Sequence, residues 1–263
     1  MSKKSFYWGI PSYNRVDRQP MLQNLSQMGY QRDEIILSVQ TLADYDAYRE
    51  RYEKQATIIY REGNNVSDNK NNILDYIVEH CGAARVVMCS DKVRAVNLMG
   101  RDKKLRSINT REEMDTLVKK AFFIARQAGA QLWGVAPVAN AFFMANTISI
   151  NLFMLGCFMG IPDPQATRFD QEQPLKEDWE VMLRAISQGK HTIRYNDICL
   201  TSTLKTQGGA HSFWNSDGDI INHQCTQRLL RLYPTLVKPH ATRANELRYV
   251  GPKQTIKQSL QDY

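Results

Sequence analysis

The alternation of short apolar runs with amphipathic stretches is the feature that most constrains how this chain folds. Apolar runs predict four buried strands in the first third of the chain, at residues 6–10, 34–40, 56–60 and 85–89. The segments between them predict three helices, at residues 18–28, 43–54 and 69–81. A strand–helix–strand unit makes consecutive strands parallel, so we predict an α/β fold with a parallel sheet covered by helices.

The rest of the chain continues this pattern less regularly. It predicts a long amphipathic helix at 110–129, a strand near Leu132, a helix at 179–188 and a helical run at 220–233. No strong linker, internal repeat or low-complexity tract interrupts it. We therefore predict one domain over residues 1–263 with two functional halves, followed by a polar, loosely held tail at 251–263.

Composition narrows the class of protein. The formal net charge of +7 and a pI near 9.1 are compatible with a polyanionic partner, because Lys and Arg neutralise phosphates. Five scattered cysteines without metal-type spacing predict free thiols in a reducing compartment. The longest apolar stretch, residues 136–161, is interrupted by polar residues, and no signal-peptide core follows the N-terminus. We expect a soluble, cytoplasmic protein that does not enter a membrane.

Polar residues follow the predicted strands at their carboxyl ends, where open α/β sheets bind ligands. The first strand ends in a run that offers a stacking face, hydrogen-bond donors and a phosphate partner, namely Pro11, Ser12, Tyr13, Asn14 and Arg15. The second ends at Gln40, and the fourth at Ser90, Asp91 and Lys92. The Asp91 carboxylate is suited to a ribose or a metal–diphosphate. An ordinary capped turn explains each segment equally well.

Two predicted helix starts carry charged residues. Lys70 and Asn71 lie within an Asn-rich segment at residues 64–72, and the N–H groups of a helix N-terminus suit anions. Simple capping by Ser67 or Asp68 is the alternative there. Glu177 and Asp178 open a later helix, where a carboxylate is suited to general-base catalysis. Favourable interaction with the helix dipole explains these acids equally well.

The C-terminal part adds weaker candidates. Residues 205–212, which include Gly208, Gly209 and His211, predict a mobile loop near a site, and a plain surface turn is the alternative. Among five histidines His240 is the candidate metal ligand, although no second histidine lies at metal spacing.

The order of these pieces resembles the GT-A glycosyltransferases. Residues 10–15 are similar to that family's first nucleotide-binding strand and turn, and Lys70-Asn71 to its Arg-Asn pair. Residues 90–92 lie where its Asp-x-Asp motif falls, and Glu177-Asp178 resembles its Glu-Asp motif, whose Asp is the base of inverting members. The resemblance implies a GT-A (Rossmann-like) fold with a nucleotide-sugar-binding half at about 5–100 and an acceptor-binding half at about 101–250.

Within that superfamily the later segments resemble the TET/JBP-associated DNA glycosyltransferases, mostly from bacteriophages. The similar segments are residues 132–140, 148–161, 176–179 and 206–209. This resemblance implies an inverting transfer from a UDP-sugar to a hydroxymethylated pyrimidine, with 5-hydroxymethylcytosine in DNA as the expected acceptor. Asp178, with Glu177 beside it, is then catalytic. The expected acceptor-binding residues are Trp133, Asn140, Gly208, Gly209, His211 and Trp214.

One departure concerns the metal. Ser90 and Lys92 replace both outer acids of the Asp-x-Asp motif, so a two-carboxylate cage for Mn²⁺ or Mg²⁺ is absent. Either Asp91 binds a metal with His240 and the diphosphate, or Lys92 itself neutralises the diphosphate.

Three other interpretations stay open at this point. The same core serves glycosyltransferases that act on a saccharide or lipid acceptor. A nucleotidyltransferase would normally open with a Gly-rich loop, and residues 11–18 contain no glycine. The third is a DNA-binding protein whose active site has decayed.

Overall fold

The computed structural model describes residues 4–202, 218–259 and 262 of the 263-residue chain. Four of the expected acceptor-binding residues lie outside this part: Gly208, Gly209, His211 and Trp214. In the described part no helix is both long enough and apolar enough to span a membrane.

The predicted alternation of strands and helices is confirmed. The described residues form six α-helices: α1 (Pro20–Gln27), α2 (Leu42–Tyr52), α3 (Val66–His80), α4 (Arg111–Gln127), α5 (Glu177–Ser187) and α6 (Gly218–Leu232). The first seven strands are β1 (Phe6–Pro11), β2 (Ile35–Val39), β3 (Thr57–Tyr60), β4 (Arg85–Cys89), β5 (Val93–Met99), β6 (Leu105–Ser107) and β7 (Ala130–Val135). The others are β8 (Ile148–Ile150), β9 (Phe158–Ile161), β10 (His191–Tyr195), β11 (Ile198–Ser202), β12 (Val237–Pro239), β13 (Leu247–Tyr249) and β14 (Gln254–Ile256).

The central sheet has nine described strands in the order β14-β8-β10-β7-β9-β4-β1-β2-β3. Strands β4, β1, β2 and β3 pair in parallel, as do β7 and β10. Strand β9 lies antiparallel between β4 and β7, and β8 lies antiparallel between β10 and β14. Following these pairings, every strand except β8 and β9 runs in one direction. The sheet is therefore mostly parallel, as the sequence predicts, and the carboxyl ends of β1, β2, β4 and β7 share one edge.

Both faces of the sheet are buried, because alternate residues of a strand point to opposite faces. On β4, Val87 and Cys89 join the core cluster that contains residues of α1, α2 and α4. Val86 and Met88 of the same strand join the other cluster, formed with residues of α3, α5 and α6. Helices thus cover the two faces, and the loops at the sheet edge are left to form a site.

A smaller sheet, β11-β5-β6, stands beside the carboxyl edge of the central sheet. Strand β5 follows the end of β4 directly, and β11 pairs with it antiparallel from Ile198 to Ser202. A separate apolar cluster anchors the far end of this sheet, with Met99, Ala136, Met144 and Cys199 buried together.

The structure corrects the expectation for Trp133. Its side chain is fully buried in the middle of β7, with the Phe122 ring edge-on at 5.3 Å and the Tyr195 ring at 5.9 Å. Gly160 lies opposite it on β9 and leaves room for the indole, since a Cβ there would lie 1.9 Å from the Trp133 ring. Trp133 is therefore a core residue and has no surface with which to stack on an acceptor.

Part of the predicted polar tail belongs to the central sheet. Gln254–Ile256 form β14, which pairs antiparallel with β8 at the edge of the central sheet. Backbone pairing, which amino-acid composition does not reveal, holds this segment in place.

Candidate functional site

A cleft of about 480 Å³ opens at the carboxyl ends of β1, β2 and β4, beside the N-termini of α3 and α5. Its volume lies in the usual range for small-molecule sites. It brings together eleven of the residues that the sequence singles out: Pro11, Ser12, Tyr13, Arg15, Gln40, Lys70, Ser90, Asp91, Lys92, Glu177 and Asp178. The order of strands in the sheet produces this arrangement, because β4, β1 and β2 are neighbours.

A buried polar network centred on Asp91 forms one wall of the cleft. The Arg15 guanidinium lies 2.9 Å from Asp91 Oδ1, and Ser12 Oγ donates to Asp91 Oδ2 at 2.7 Å. Ser12 Oγ in turn lies 2.8 Å from the Tyr48 hydroxyl and accepts from Gln19 Nε2 at 2.8 Å. The turn after β1 is thereby tied to the end of β4 and to α2, so its shape is fixed before any ligand binds.

This network does not suit a divalent metal. Both oxygens of Asp91 already have partners, one of them a cation, and the adjoining side chains are a serine and a lysine. His240 is not among the cleft residues; its Nδ1 accepts from the backbone N–H of Thr242 in the loop after β12. Within the described ranges no three His, Cys, Asp or Glu residues are grouped as metal ligands. The structure therefore does not bring His240 together with Asp91 among the residues that line the cleft.

Lys70 and Glu177 form an ion pair across the base of the cleft. Lys70 Nζ lies 2.8 Å from Glu177 Oε1 and 4.7 Å from the centre of the Phe169 ring. The lysine side chain is only 4% exposed and that of the glutamate 16%. The N-terminus of α3 and that of α5 therefore meet through two opposite charges, 107 residues apart in the chain.

Asp178, in the first turn of α5, presents a carboxylate to the cleft. Its Oδ2 accepts from the backbone N–H of Gly156 at 3.1 Å, and its Oδ1 from that of Trp179 at 2.8 Å. Burial, and then the nearby Glu177 carboxylate, raise the pKa of Asp178 from 3.8 to about 6, although the Lys70 ammonium acts in the opposite direction. A carboxylate with a raised pKa at a cleft is typical of a general base.

Lys92 supplies a cation of a different kind. None of the salt bridges among the described residues involves it, whereas Arg15 and Lys70 are each paired with a carboxylate. Burial, and then the Arg15 charge, lower the pKa of Lys92. An anion bound beside Lys92 would relieve both effects, so this side of the cleft favours a phosphate or diphosphate.

Three other predicted residues are not among those that line the cleft. Asn14 is exposed in a left-handed turn with φ of 49°, where its N–H donates to Asp44. The side chain of Asn71 is buried and exchanges two hydrogen bonds with the backbone of Phe169, so it supports the loop under Lys70. Asn140 caps the short 3₁₀ turn Ala141–Phe143, in the segment between β7 and β8.

Sequence reasoning missed six residues that line the cleft: Thr41, Gly63, Cys89, Gly156, Cys157 and Ser202. It named four others, Asn64, Asn65, Val66 and Asn69, only as part of the Asn-rich segment at residues 64–72. Asn65, rather than Ser67 or Asp68, caps α3. The glycine at position 156 has a physical reason: a Cβ there would lie 2.6 Å from that of Asp178, so a larger residue would not fit. Asn69 donates to the Ser12 carbonyl, while its own buried Oδ1 has no partner in the described part of the chain. Burial and Asp178 raise the pKa of Cys157 to about 11, which disfavours the nucleophilic thiolate.

A family model described as TET-Associated Glycosyltransferase matches residues 9–209, which are 201 of the chain's 263 residues. No curated protein sequence matches the chain.

Two solved structures show low similarity. One is a crystal structure of 4-diphosphocytidyl-2C-methyl-D-erythritol synthase, with 13% identity and a TM-score of 0.34 over 52% of this chain. The other is mannose-1-phosphate geranyltransferase from Thermus thermophilus, with 12% identity and a TM-score of 0.34 over 88% of this chain. The matches span 61% and 65% of those two proteins, respectively.

Proposed function

Because the chain belongs to the TET-associated glycosyltransferase family, we propose that it transfers a sugar from a UDP-sugar to a hydroxymethylated pyrimidine in DNA. We propose 5-hydroxymethylcytosine as the acceptor base, in DNA modification of the kind found in bacteriophages. One observation carries the proposal: a single cleft is lined by a carboxylate with a raised pKa, Asp178, and by Lys92, which has no salt bridge among the described residues.

The donor occupies the wall formed by β1 and β4. Tyr13 offers a ring to the nucleobase, and the rigid network of Ser12, Arg15 and Asp91 supports the ribose and the phosphates. Lys92 lies beside the diphosphate, where its ammonium balances the charge that grows as the leaving group departs. Because the surroundings of Asp91 do not suit a divalent ion, no step of this mechanism requires one.

Transfer then proceeds by direct displacement. Asp178 accepts the proton of the acceptor hydroxymethyl group while that oxygen forms a bond to the anomeric carbon. The bond from the anomeric carbon to the diphosphate oxygen breaks, and the electron pair leaves with UDP. Attack on the face opposite the leaving group inverts the configuration of the sugar. A general base contributes about 10²–10⁴-fold to such a step.

The N–H groups of Gly156 and Trp179 fix the position of the Asp178 carboxylate, so it does not have to reorient during the reaction. The second acid, Glu177, is held by Lys70 and acts on Asp178 through its charge. A base pKa of about 6 keeps most of Asp178 ionised at neutral pH and still basic enough to take a proton.

A base inside a duplex cannot reach a cleft of this kind, so the modified nucleotide has to leave the helical stack. The net charge of +7 provides the sequence-independent attraction that holds the DNA backbone meanwhile.

The test is mass spectrometry of nucleosides from hydroxymethylcytosine-containing DNA after incubation with a panel of UDP-sugars, with and without EDTA. Wild type should form a sugar adduct in both conditions. Asp178→Asn should lower the rate by about 10²-fold or more. Asp46→Asn, an exposed aspartate on α2, is the matched control and should keep full activity. Thermal melts of both variants verify that they fold.

Transfer to saccharide or lipid acceptors without any DNA adduct would refute the DNA acceptor. Full activity of Asp178→Asn would refute the assignment of the base. Loss of the adduct with EDTA, restored by Mn²⁺ or Mg²⁺, would refute the metal-independent donor site.

A further inference from the structure

An exposed aromatic pair lies at the carboxyl edge of the central sheet. Phe142 is 85% exposed and Phe143 is 71% exposed, and their rings contact edge to face at 5.1 Å. They occupy the short turn after β7, whose carboxyl end shares an edge with those of β1 and β4. Neighbouring exposed phenylalanines contribute little to folding, so their exposure indicates a contact with something outside the chain.

A basic turn lies next to this pair. The turn between β5 and β6 contains Arg101, Lys103 and Lys104, and all three residues are exposed. The side chains of Arg101 and Lys104 are 81% and 85% exposed. Charged side chains this exposed contribute little to stability through their own ion pairs, so they are available to a polyanion.

The two features form one continuous surface. Lys103 Nζ donates to the carbonyl of Met144, the residue that follows the aromatic pair, at 3.0 Å. Below this hydrogen bond, Met99 at the end of β5 and Met144 are buried in the same apolar cluster. We call the surface made by Arg101, Lys104, Phe142 and Phe143 the aromatic–basic surface.

This surface lies at a fixed distance from the cleft. Strand β5 begins at Val93, next to Lys92 of the cleft, and ends at Met99, next to the basic turn. Six residue steps of a strand span about 20 Å. Phosphates of one DNA strand follow each other at about 3.4 Å along the helix axis, so 20 Å corresponds to about six nucleotides. A polymer with one nucleotide in the cleft therefore reaches the aromatic–basic surface, whereas a small acceptor does not.

We propose that the aromatic–basic surface binds the acceptor DNA about six nucleotides from the modified base. Arg101 and Lys104 neutralise backbone phosphates, and Phe142 and Phe143 insert between base pairs at that position, where an inserted ring stacks on the bases that it separates. This inference rests on the proposed DNA acceptor, and it assigns part of the DNA-binding interface to a surface outside the catalytic cleft.

Two double variants test it: Phe142→Ala/Phe143→Ala and Arg101→Glu/Lys104→Glu. The matched control for the aromatic variant is Phe123→Ala, another exposed phenylalanine, on α4. The matched control for the charge variant is Arg49→Glu/Lys54→Glu, at two exposed residues on α2 and just after it, which changes the net charge by the same amount. Fluorescence anisotropy measures the affinity of each for a duplex of about 20 base pairs with one central 5-hydroxymethylcytosine, at salt concentrations from about 50 to 200 mM. Donor affinity, measured by calorimetry with UDP-sugar, and thermal melts verify that the cleft and the fold are intact.

We expect the aromatic variant to bind DNA at least about 5-fold more weakly, because stacking on a single base contributes about this much. The charge variant should lower the slope of log affinity against log salt by about 2, since two phosphate contacts are lost. The controls should change affinity less than the test variants do, with unaltered donor affinity throughout.

If wild type binds DNA and neither test variant binds it more weakly than its control does, the proposed surface is wrong and the proposed DNA acceptor still holds. The proposed function itself fails if wild type neither binds nor modifies DNA. Vesicles with anionic lipid test the alternative partner. If wild type binds these vesicles, and both test variants lose that binding but still bind DNA, the proposal is also overturned.

Discussion

Replacing Glu177 by glutamine should shift the acid limb of the pH–rate profile to lower pH. In the proposed mechanism Asp178 acts only when ionised, so activity falls as the pH falls through its pKa of about 6. At pH 5 about one-tenth of the wild-type enzyme then carries an ionised Asp178, and kcat/KM is about a tenth of its plateau.

The direction and the limit of this shift follow from the contacts of Asp178. Burial raises its pKa most, and the Glu177 carboxylate adds to that effect. Glutamine removes the Glu177 charge and leaves the Lys70 ammonium, now without its anion, to stabilise ionised Asp178. Burial remains, so the acid limb should fall between the ordinary aspartate value of 3.8 and about 6. The variant should therefore retain a larger share of its plateau activity at pH 5 than wild type does.

The assay is kcat/KM for DNA glycosylation from about pH 4.5 to 8, measured by mass spectrometry of the product nucleoside. Glu50→Gln, an exposed glutamate on α2, is the control with the same chemical change and should keep the acid limb at about 6. An acid limb of Glu177→Gln that stays at about 6, or moves to higher pH, would refute the assignment of Asp178 as the base under the influence of Glu177.

Two further outcomes test the donor site and the core. Lys92→Met should weaken UDP-sugar binding measured by calorimetry, and Lys92→Arg should retain most of it. Because burial lowers the pKa of Lys92, the affinity of wild type for UDP-sugar should decline as the pH rises through that lowered value. Equal affinity of Lys92→Met and wild type would exclude a contact between Lys92 and the diphosphate. Gly160→Ala should lower the free energy of unfolding by about 1–3 kcal/mol, because the new Cβ meets the buried Trp133 ring. Adding Trp133→Phe to this variant should recover part of the lost stability. An unchanged Tm in Gly160→Ala would contradict the close packing of Gly160 against Trp133.

The sequence determined much of the fold. Period-two and period-3.6 apolar patterns arise from the direction of each Cβ, which is a local property of the backbone. The four N-terminal strands and three helices were therefore predicted close to their observed bounds. Tails and helix starts were less certain: α3 begins at Val66 rather than at residue 69, and the polar tail adds β14 to the sheet.

The strand-end rule also located one wall of the cleft. Polar residues after β1, β2 and β4 meet because parallel strands place their carboxyl ends at one edge. The rule does not distinguish a residue that lines the cleft from one that supports it. Asn14 belongs to the turn after β1, but its backbone position directs it to solvent. Asn71, predicted from a helix start, lies on α3 and is directed to the loop at Phe169.

Only the tertiary structure decided how these residues are paired. The Ser12–Asp91 and Lys70–Glu177 contacts join residues 79 and 107 positions apart, so they depend on which strands and helices are neighbours. Trp133 illustrates the same limit of sequence-based prediction. The sequence around an aromatic residue in a strand is the same whether its partner is a glycine in the core or a base in solution. Local pattern fixes the direction in which a side chain points, and the packing of distant segments determines what it meets there.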